Sequence, residues 1–177
     1  MKILVAVDMQ NDFIDGTLGT KEAVGILSNV QQKIKEYRKS GFPVIFTRDT
    51  HEENYLETQE GRNLPVLHCI YNTKGWQISE QLEVADSIII DKPAFGSTKL
   101  AQYIQTGYPD TDLEIELIGL CTDICVISNA IILKAFFPEA KIKVDASCCA
   151  GVTPDSHKTA LEAMKMCQIS ILNEKSV

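Results

Sequence analysis

Six short apolar runs constrain this chain more than any other feature. Ile3-Leu4-Val5-Ala6-Val7 is the first, and residues 43–46, 87–90, 113–118, 141–144 and 168–172 are the others. Each has the length of a strand, and each is continuous rather than alternating in polarity. That is the signature of strands covered on both faces. Helical segments stand between them, at 22–39, 77–82, 100–105, 124–137 and 154–167. The first of these puts Val24, Leu27, Val30, Ile34 and Tyr37 on one face, and Gly41 with Pro43 supplies its stop. Strand and helix alternate throughout, which predicts an α/β fold: three layers, α/β/α, around a six-stranded parallel sheet of order 3-2-1-4-5-6. The 177 residues suffice for one core, so a single domain is expected across 1–177.

Composition narrows the function classes. A net charge of −7 speaks against a nucleic-acid surface, and no apolar run is long enough to span a bilayer. Met1-Lys2 leads straight into the first strand, with no signal-peptide pattern. A cytoplasmic protein is expected, its six cysteines serving as core, catalytic or metal-binding residues rather than disulfides. No cysteine spacing matches a structural zinc site. The expected partner is a small molecule, with no nucleic acid and no membrane, and the expected assembly is a homo-oligomer.

The residues at the strand ends carry the chemistry. Asp8 closes the first run, Asp49 and His51 follow the second, Lys92 the third, and Cys125 the fourth. In an open parallel sheet, ligands bind at the carboxyl ends of the strands, where the strand order reverses. Taken singly, Asp8 reads as a turn residue, Lys92 as a solvated charge and Cys125 as core. Together they make an aspartate base, a thiol nucleophile and a lysine that tunes both. Thr122 or Asp123 is expected to cap the following helix, which puts Cys125 in its first turn, where the dipole favours the thiolate. The long polar stretch from 50 to about 75 is longer than an ordinary connection, and such loops are usually functional. Asp49, His51, Glu60 and His68 offer two imidazoles and two carboxylates, a donor set for zinc, manganese or iron(II). The alternative is a polar loop with incidental histidines. Trp76 reads as a packing anchor for that loop, His157 as a surface residue, Cys148-Cys149 as small residues after a buried strand, and Cys167 as buried. No GxGxxG or GxxxxGK[ST] phosphate cradle is present.

Two motifs resemble a known superfamily. Asp8-Met9-Gln10-Asn11-Asp12-Phe13 resembles the D-x-Q-N-D-F opening of the isochorismatase-like cysteine hydrolases. The stretch from Gly119 to Val126 resembles their G-x-x-T-D-x-C-V nucleophile motif, and Lys92 with Phe95 resembles their K-x-x-F segment. Asp49-Thr50-His51 and His68-Cys69 resemble the metal motifs of the nicotinamidases within that group. The resemblance implies a Cys125–Asp8–Lys92 triad, a cis peptide before Cys121, and an oxyanion hole from the backbone N–H groups of Cys121 and Cys125. It further implies one divalent metal on Asp49, His51 and His68, with Glu60 as fourth ligand, and Phe13 lining the substrate pocket. Leu64-Pro65-Val66-Leu67 departs from the aromatic and two prolines that often precede the metal histidine; Cys121 and Asn129 depart as well. The leading expectation is therefore a nicotinamidase. The alternatives are an amidase for a ureido, carbamoyl or other small amide, and, outside hydrolases, a nucleotide- or flavin-binding module.

Overall fold

The computed structural model describes residues 1–109 and 112–174. Its sheet has six parallel strands: β1 (Lys2–Val7), β2 (Val44–Asp49), β3 (Ile88–Lys92), β4 (Glu114–Leu120), β5 (Lys141–Ala150) and β6 (Ser170–Leu172). Their order is β3-β2-β1-β4-β5-β6, the order expected. Helices cover both faces. α1 (Asn11–Ile14), α2 (Lys21–Gly25) and α3 (Leu27–Lys39) lie on one, and α5 (Thr98–Gly107), α6 (Ile127–Phe136) and α7 (Pro154–Met166) on the other. α4 (Gln59–Asn63) belongs to the long β2–β3 connection. β1 shows why continuous apolar runs are needed. Ile3, Val5 and Val7 point into one core while Leu4 and Ala6 point into the other, and all five are fully buried. Among the described residues, no helix is long and apolar enough to cross a membrane.

Three local expectations are corrected. The helix expected over 22–39 is two helices. Thr20 caps α2 by accepting from the Ala23 N–H at 3.0 Å, and α2 ends at Gly25, a residue that weakens helix interiors. Val24 is thereby left exposed, while Leu27, Val30, Ile34 and Tyr37 of α3 are buried. The helix expected over 77–82 does not form. Its backbone is used across the chain instead: Ser79 N–H donates to Met9 O and Gln77 O accepts from Asn11 N–H, both at 3.0 Å. Finally, β5 runs on through Cys148 and Cys149, which are strand residues in the two cores rather than residues beyond the strand.

β1 and β4 are neighbours with helices leaving to opposite faces, so a crevice opens at their carboxyl ends. Asp8 ends β1 in the left-handed region at φ 47°, which aspartate tolerates better than most residues. Gly119 in β4 has φ 115°, and a Cβ there would lie 2.1 Å from Val7 O, so only glycine lets β4 approach β1 this closely. Beyond it the Leu120–Cys121 peptide is cis, as the resemblance implies.

Candidate active site

The crevice brings together every strand-end residue singled out in the sequence. Lys92, the last residue of β3, is fully buried, and its ammonium has three acceptors for its three donors. These are Asp8 Oδ2 at 2.6 Å, Asp49 Oδ1 at 3.2 Å and Cys125 Sγ at 3.4 Å. Burial works against the charged form, but Asp8, Cys125 and Asp49 outweigh it and hold Lys92 above its ordinary value. Asp8 is fixed from its other side, where Oδ1 accepts from Thr47 Oγ1 at 2.6 Å. Its own pKa is raised: burial is the main cause and Asp49 adds to it, while Lys92 opposes.

Cys125 stands in the first helical turn after β4, as expected, but the cap and the type of turn differ. Cys121, not Thr122 or Asp123, occupies the cap position, and it makes no side-chain cap bond. The chain then makes one π-helical turn, Thr122–Val126, before α6. Such turns recur at functional sites because they re-aim a side chain within a helix. The thiol is also not ionised more easily. Burial, then the Asp8 carboxylate, push it well above the usual thiol value, and Lys92 only partly offsets them.

The four donors of the long loop converge as well. One ligand atom from each of Asp49, His51, Glu60 and His68 can be chosen so that all lie within 4.8 Å of one another, which would suit one metal ion. Asp49 Oδ2 is 3.0 Å from His51 Nε2 and 3.8 Å from His68 Nε2, and Glu60 Oε1 is 3.6 Å from His51 Nε2. His68 Nδ1 is bonded to Val66 O at 2.8 Å, which orients the ring and leaves Nε2 facing the group. Burial and the hydrogen bond with Asp49 oppose each other at His51, and Asp49 with Glu60 raises its pKa. Asp49 belongs to both halves of the site, with Oδ1 on the Lys92 ammonium and Oδ2 toward the imidazoles.

Several further residues support the site. Gln10 ties three segments together: its Nε2 donates to Asp49 O and Trp76 O, both at 2.8 Å, and its Oε1 accepts from Asp49 N–H at 2.7 Å. Asp12 accepts from Cys69 N–H at 2.8 Å, next to His68. Tyr55 is a buried wedge behind the imidazoles, its ring 4.5 Å from His51 and 5.0 Å from His68. A Cβ at Gly61 would lie 2.0 Å from Tyr55 O, so a glycine next to Glu60 is required there. Asn129 links the loop after Lys92 to the turn that carries Cys125. Its Nδ2 donates to Cys125 O at 2.8 Å and Phe95 O at 3.1 Å, and its Oδ1 accepts from Ser97 N–H at 3.0 Å. That pattern needs an amide and gives this departure from the more usual threonine a physical account. Trp76 anchors the loop as expected: Arg48 stacks 3.6 Å above its ring, and its Nε1 donates to Thr50 Oγ1 at 2.8 Å. His157 is not a plain surface residue, since its Nδ1 lies 2.7 Å from Thr122 Oγ1. Cys167 is exposed, because it follows the last turn of α7 on its outer side.

Both halves of the site open into one cavity of about 250 Å³, lined by Phe13, Leu64, Phe95, Ile124, Cys121 and Cys125 together with Asp49, Glu60 and His68. The Phe13 and His68 rings are 5.6 Å apart. Sheet order defines the class, an α/β/α fold with these side chains gathered at the β1/β4 switch point. The chain belongs to the family described as the isochorismatase domain, whose sequence profile matches residues 2–174. A nicotinamidase of Saccharomyces cerevisiae is 22% identical, over 98% of this chain and 100% of its own length. The structure of a pyrazinamidase of Pyrococcus horikoshii in complex with zinc superposes with a TM-score of 0.84 at 28% identity, covering 98% of this chain and 99% of that one. A pyrazinamidase/nicotinamidase of Streptococcus mutans gives a TM-score of 0.84 at 26% identity, covering 97% and 100%. Family membership displaces the nucleotide- or flavin-binding reading.

Proposed function

We propose that this protein hydrolyses nicotinamide to nicotinate and ammonia through a thioester on Cys125. The observation that carries the reading is the Lys92 ammonium bound to Asp8, Asp49 and Cys125 at once. It couples a base and a nucleophile to a donor group suited to a metal, at the floor of a single cavity. The similarity to nicotinamidases and pyrazinamidases of other organisms supports it.

Asp8 takes the Cys125 proton as Sγ attacks the amide carbonyl. Lys92 holds the Asp8 carboxylate in line and limits the cost of the charge that develops on sulfur. The backbone N–H groups of Cys121 and Cys125 face the carbonyl oxygen, as N–H groups at a helix start do for anions. Asp8 then gives its proton to the amide nitrogen, the C–N bond breaks and ammonia leaves. Water attacks the thioester with Asp8 again as base, which releases nicotinate and restores the thiol. Phe13 packs on the ring, worth about 1 kcal/mol beyond burial. Two imidazoles and two carboxylates suit zinc, with manganese or iron(II) as alternatives. Such an ion, when bound, supplies a Lewis-acid position for the pyridine nitrogen.

The test is kcat/KM for nicotinamide against benzamide, which keeps the shape and lacks the nitrogen. Strong rejection of benzamide is expected, since a site built around that nitrogen loses its ligand. Equal rates would remove the anchoring role. Ammonia from neither would move the assignment to a ureido or carbamoyl amide, a reading that Leu64 in the cavity wall favours over a second ring-stacking aromatic.

A further inference from the structure

We propose that His157 is a positioning residue for the nucleophile, acting through Thr122 and working in its neutral form. Thr122 is fully buried and is the first residue of the turn that carries Cys125. Its hydroxyl does not cap that turn; it meets His157 Nδ1 at 2.7 Å. With Nδ1 unprotonated, the hydroxyl donates to it, and the hydroxyl of a fully buried threonine has no water to turn to.

His157 is itself held tightly. A Cβ on Gly151 would lie within 2.9 Å of its backbone and Cβ, so α7 starts hard against that corner. The neighbouring Asp123 carboxylate accepts from Val152 N–H at 3.1 and 3.2 Å. α7 and the loop that leads into it are thus tied to two successive residues of the turn that carries Cys125. Gly151 and Val152 also line the substrate cavity, so one corner of the fold sets both the wall of the pocket and the seat of the thiol.

Protonation would reverse the bond. An imidazolium offers N–H at Nδ1, and the Thr122 hydroxyl must then accept, leaving its own hydrogen to find a partner inside the core. The charged groups around the ring are Asp123 from the nucleophile turn and Glu174 beyond β6, which pairs with Lys165 at 2.6 Å; Asp155 and Lys158 flank it on α7. Burial favours the neutral ring and outweighs the two carboxylates that oppose it.

The inference rests on Cys125 being the nucleophile, so the experiment includes a readout independent of substrate. Alkylation of Cys125 by iodoacetamide is followed by peptide mass spectrometry, together with kcat, between pH 5 and 8. His157→Phe removes the bond. His157→Asn keeps a polar atom near the Nδ1 position and cannot ionise. His157→Phe is expected to lower kcat about 10- to 100-fold with KM little changed, the order expected when a reacting atom is misplaced. His157→Asn is expected to restore kcat at pH 8 to within about threefold and to lack part of the wild-type loss of kcat and Cys125 alkylation on the acid side. If His157→Phe does not fold, Thr122→Val replaces it, with the same expected loss. The proposal is overturned if His157→Phe or Thr122→Val keeps wild-type kcat and alkylation rate, if His157→Asn falls as far as His157→Phe, or if the wild-type and His157→Asn pH profiles superimpose. Failure of nicotinamide as substrate would leave the alkylation comparison intact and so be recognised separately.

Discussion

Lys33 and Lys92 each face two carboxylates, and only Lys92 also meets a thiol at the wall of a cavity. Lys33 on α3 is 2.8 Å from Glu116 Oε1 and 2.7 Å from Asp145 Oδ2. Tyr37 donates to Glu116 at 2.8 Å, and Ser147 and Asn173 complete Asp145. Every partner in that group is a settled hydrogen-bonding group of the protein, so the network closes on itself and ties α3 to β4 and β5. Lys92 also faces two carboxylates, but its third acceptor is a thiol that opens on a cavity. Buried charge is common to both clusters. A reactive atom with access to a ligand belongs to one, and that difference separates a site from a brace.

The largest effect that would break this contrast is at Cys125. Cys125→Ala should lower the rate of ammonia release by about 10⁴-fold or more, whereas Asp145→Asn should leave kcat/KM within about twofold. Comparable losses in the two variants would erase the distinction. Next come Asp8→Asn and Lys92→Met, each expected to cost about 10³-fold. Their double variant should be little worse than the worse single one, because the two act as a unit. Losses that multiply would mean that they work separately. A third test is metal content by elemental analysis of protein purified without chelator. One divalent ion per chain is expected, lost in the His51→Ala, His68→Ala double variant and retained in Lys33→Met. Unchanged content in the histidine variant would remove the site.

The smallest expected effect concerns the brace alone. Burial works to raise Asp145, but hydrogen bonds from Lys33, Ser147 and Asn173 outweigh it and hold it below the ordinary 3.8. Its folded pKa therefore lies below its unfolded one. The stabilisation is present at neutral pH and is lost as pH falls through the folded value. Asp145→Asn should cost about 1–3 kcal/mol at pH 7 in denaturant melts, and the gap to wild type should close below pH 3.8. A gap that stays constant down to acid pH would show that packing rather than charge is at stake.

The contrast also shows what could be read from the residues. Continuous apolar runs with strand-end acids, lysine and cysteine were enough to place Asp8, Lys92 and Cys125 at one switch point, because strand periodicity and parallel topology are local patterns with global consequences. The metal donors were legible by residue type. What holds them was not. Gln10 reaches Asp49 across 39 residues, and His157 reaches Thr122 across 35. Such side-chain bonds leave no period in the sequence. The Cys125 thiol departs from the sequence expectation for a related reason. A helix start argues for easier ionisation, but full burial beside Asp8 outweighs it, and burial is a property of the whole fold. Gly25 in the first helical pattern was visible, yet its break depended on which face α3 could bury.

The central claim is that the reaction passes through an acyl group on Cys125, and hydroxylamine tests it most directly. A thioester partitions between water and this stronger nucleophile. With rising hydroxylamine, the wild-type product should shift from nicotinate to the hydroxamate, ammonia release should not fall, and Cys125→Ala should form neither product. Nicotinate as the sole product at every hydroxylamine concentration, with Cys125→Ala still turning over, would contradict the account.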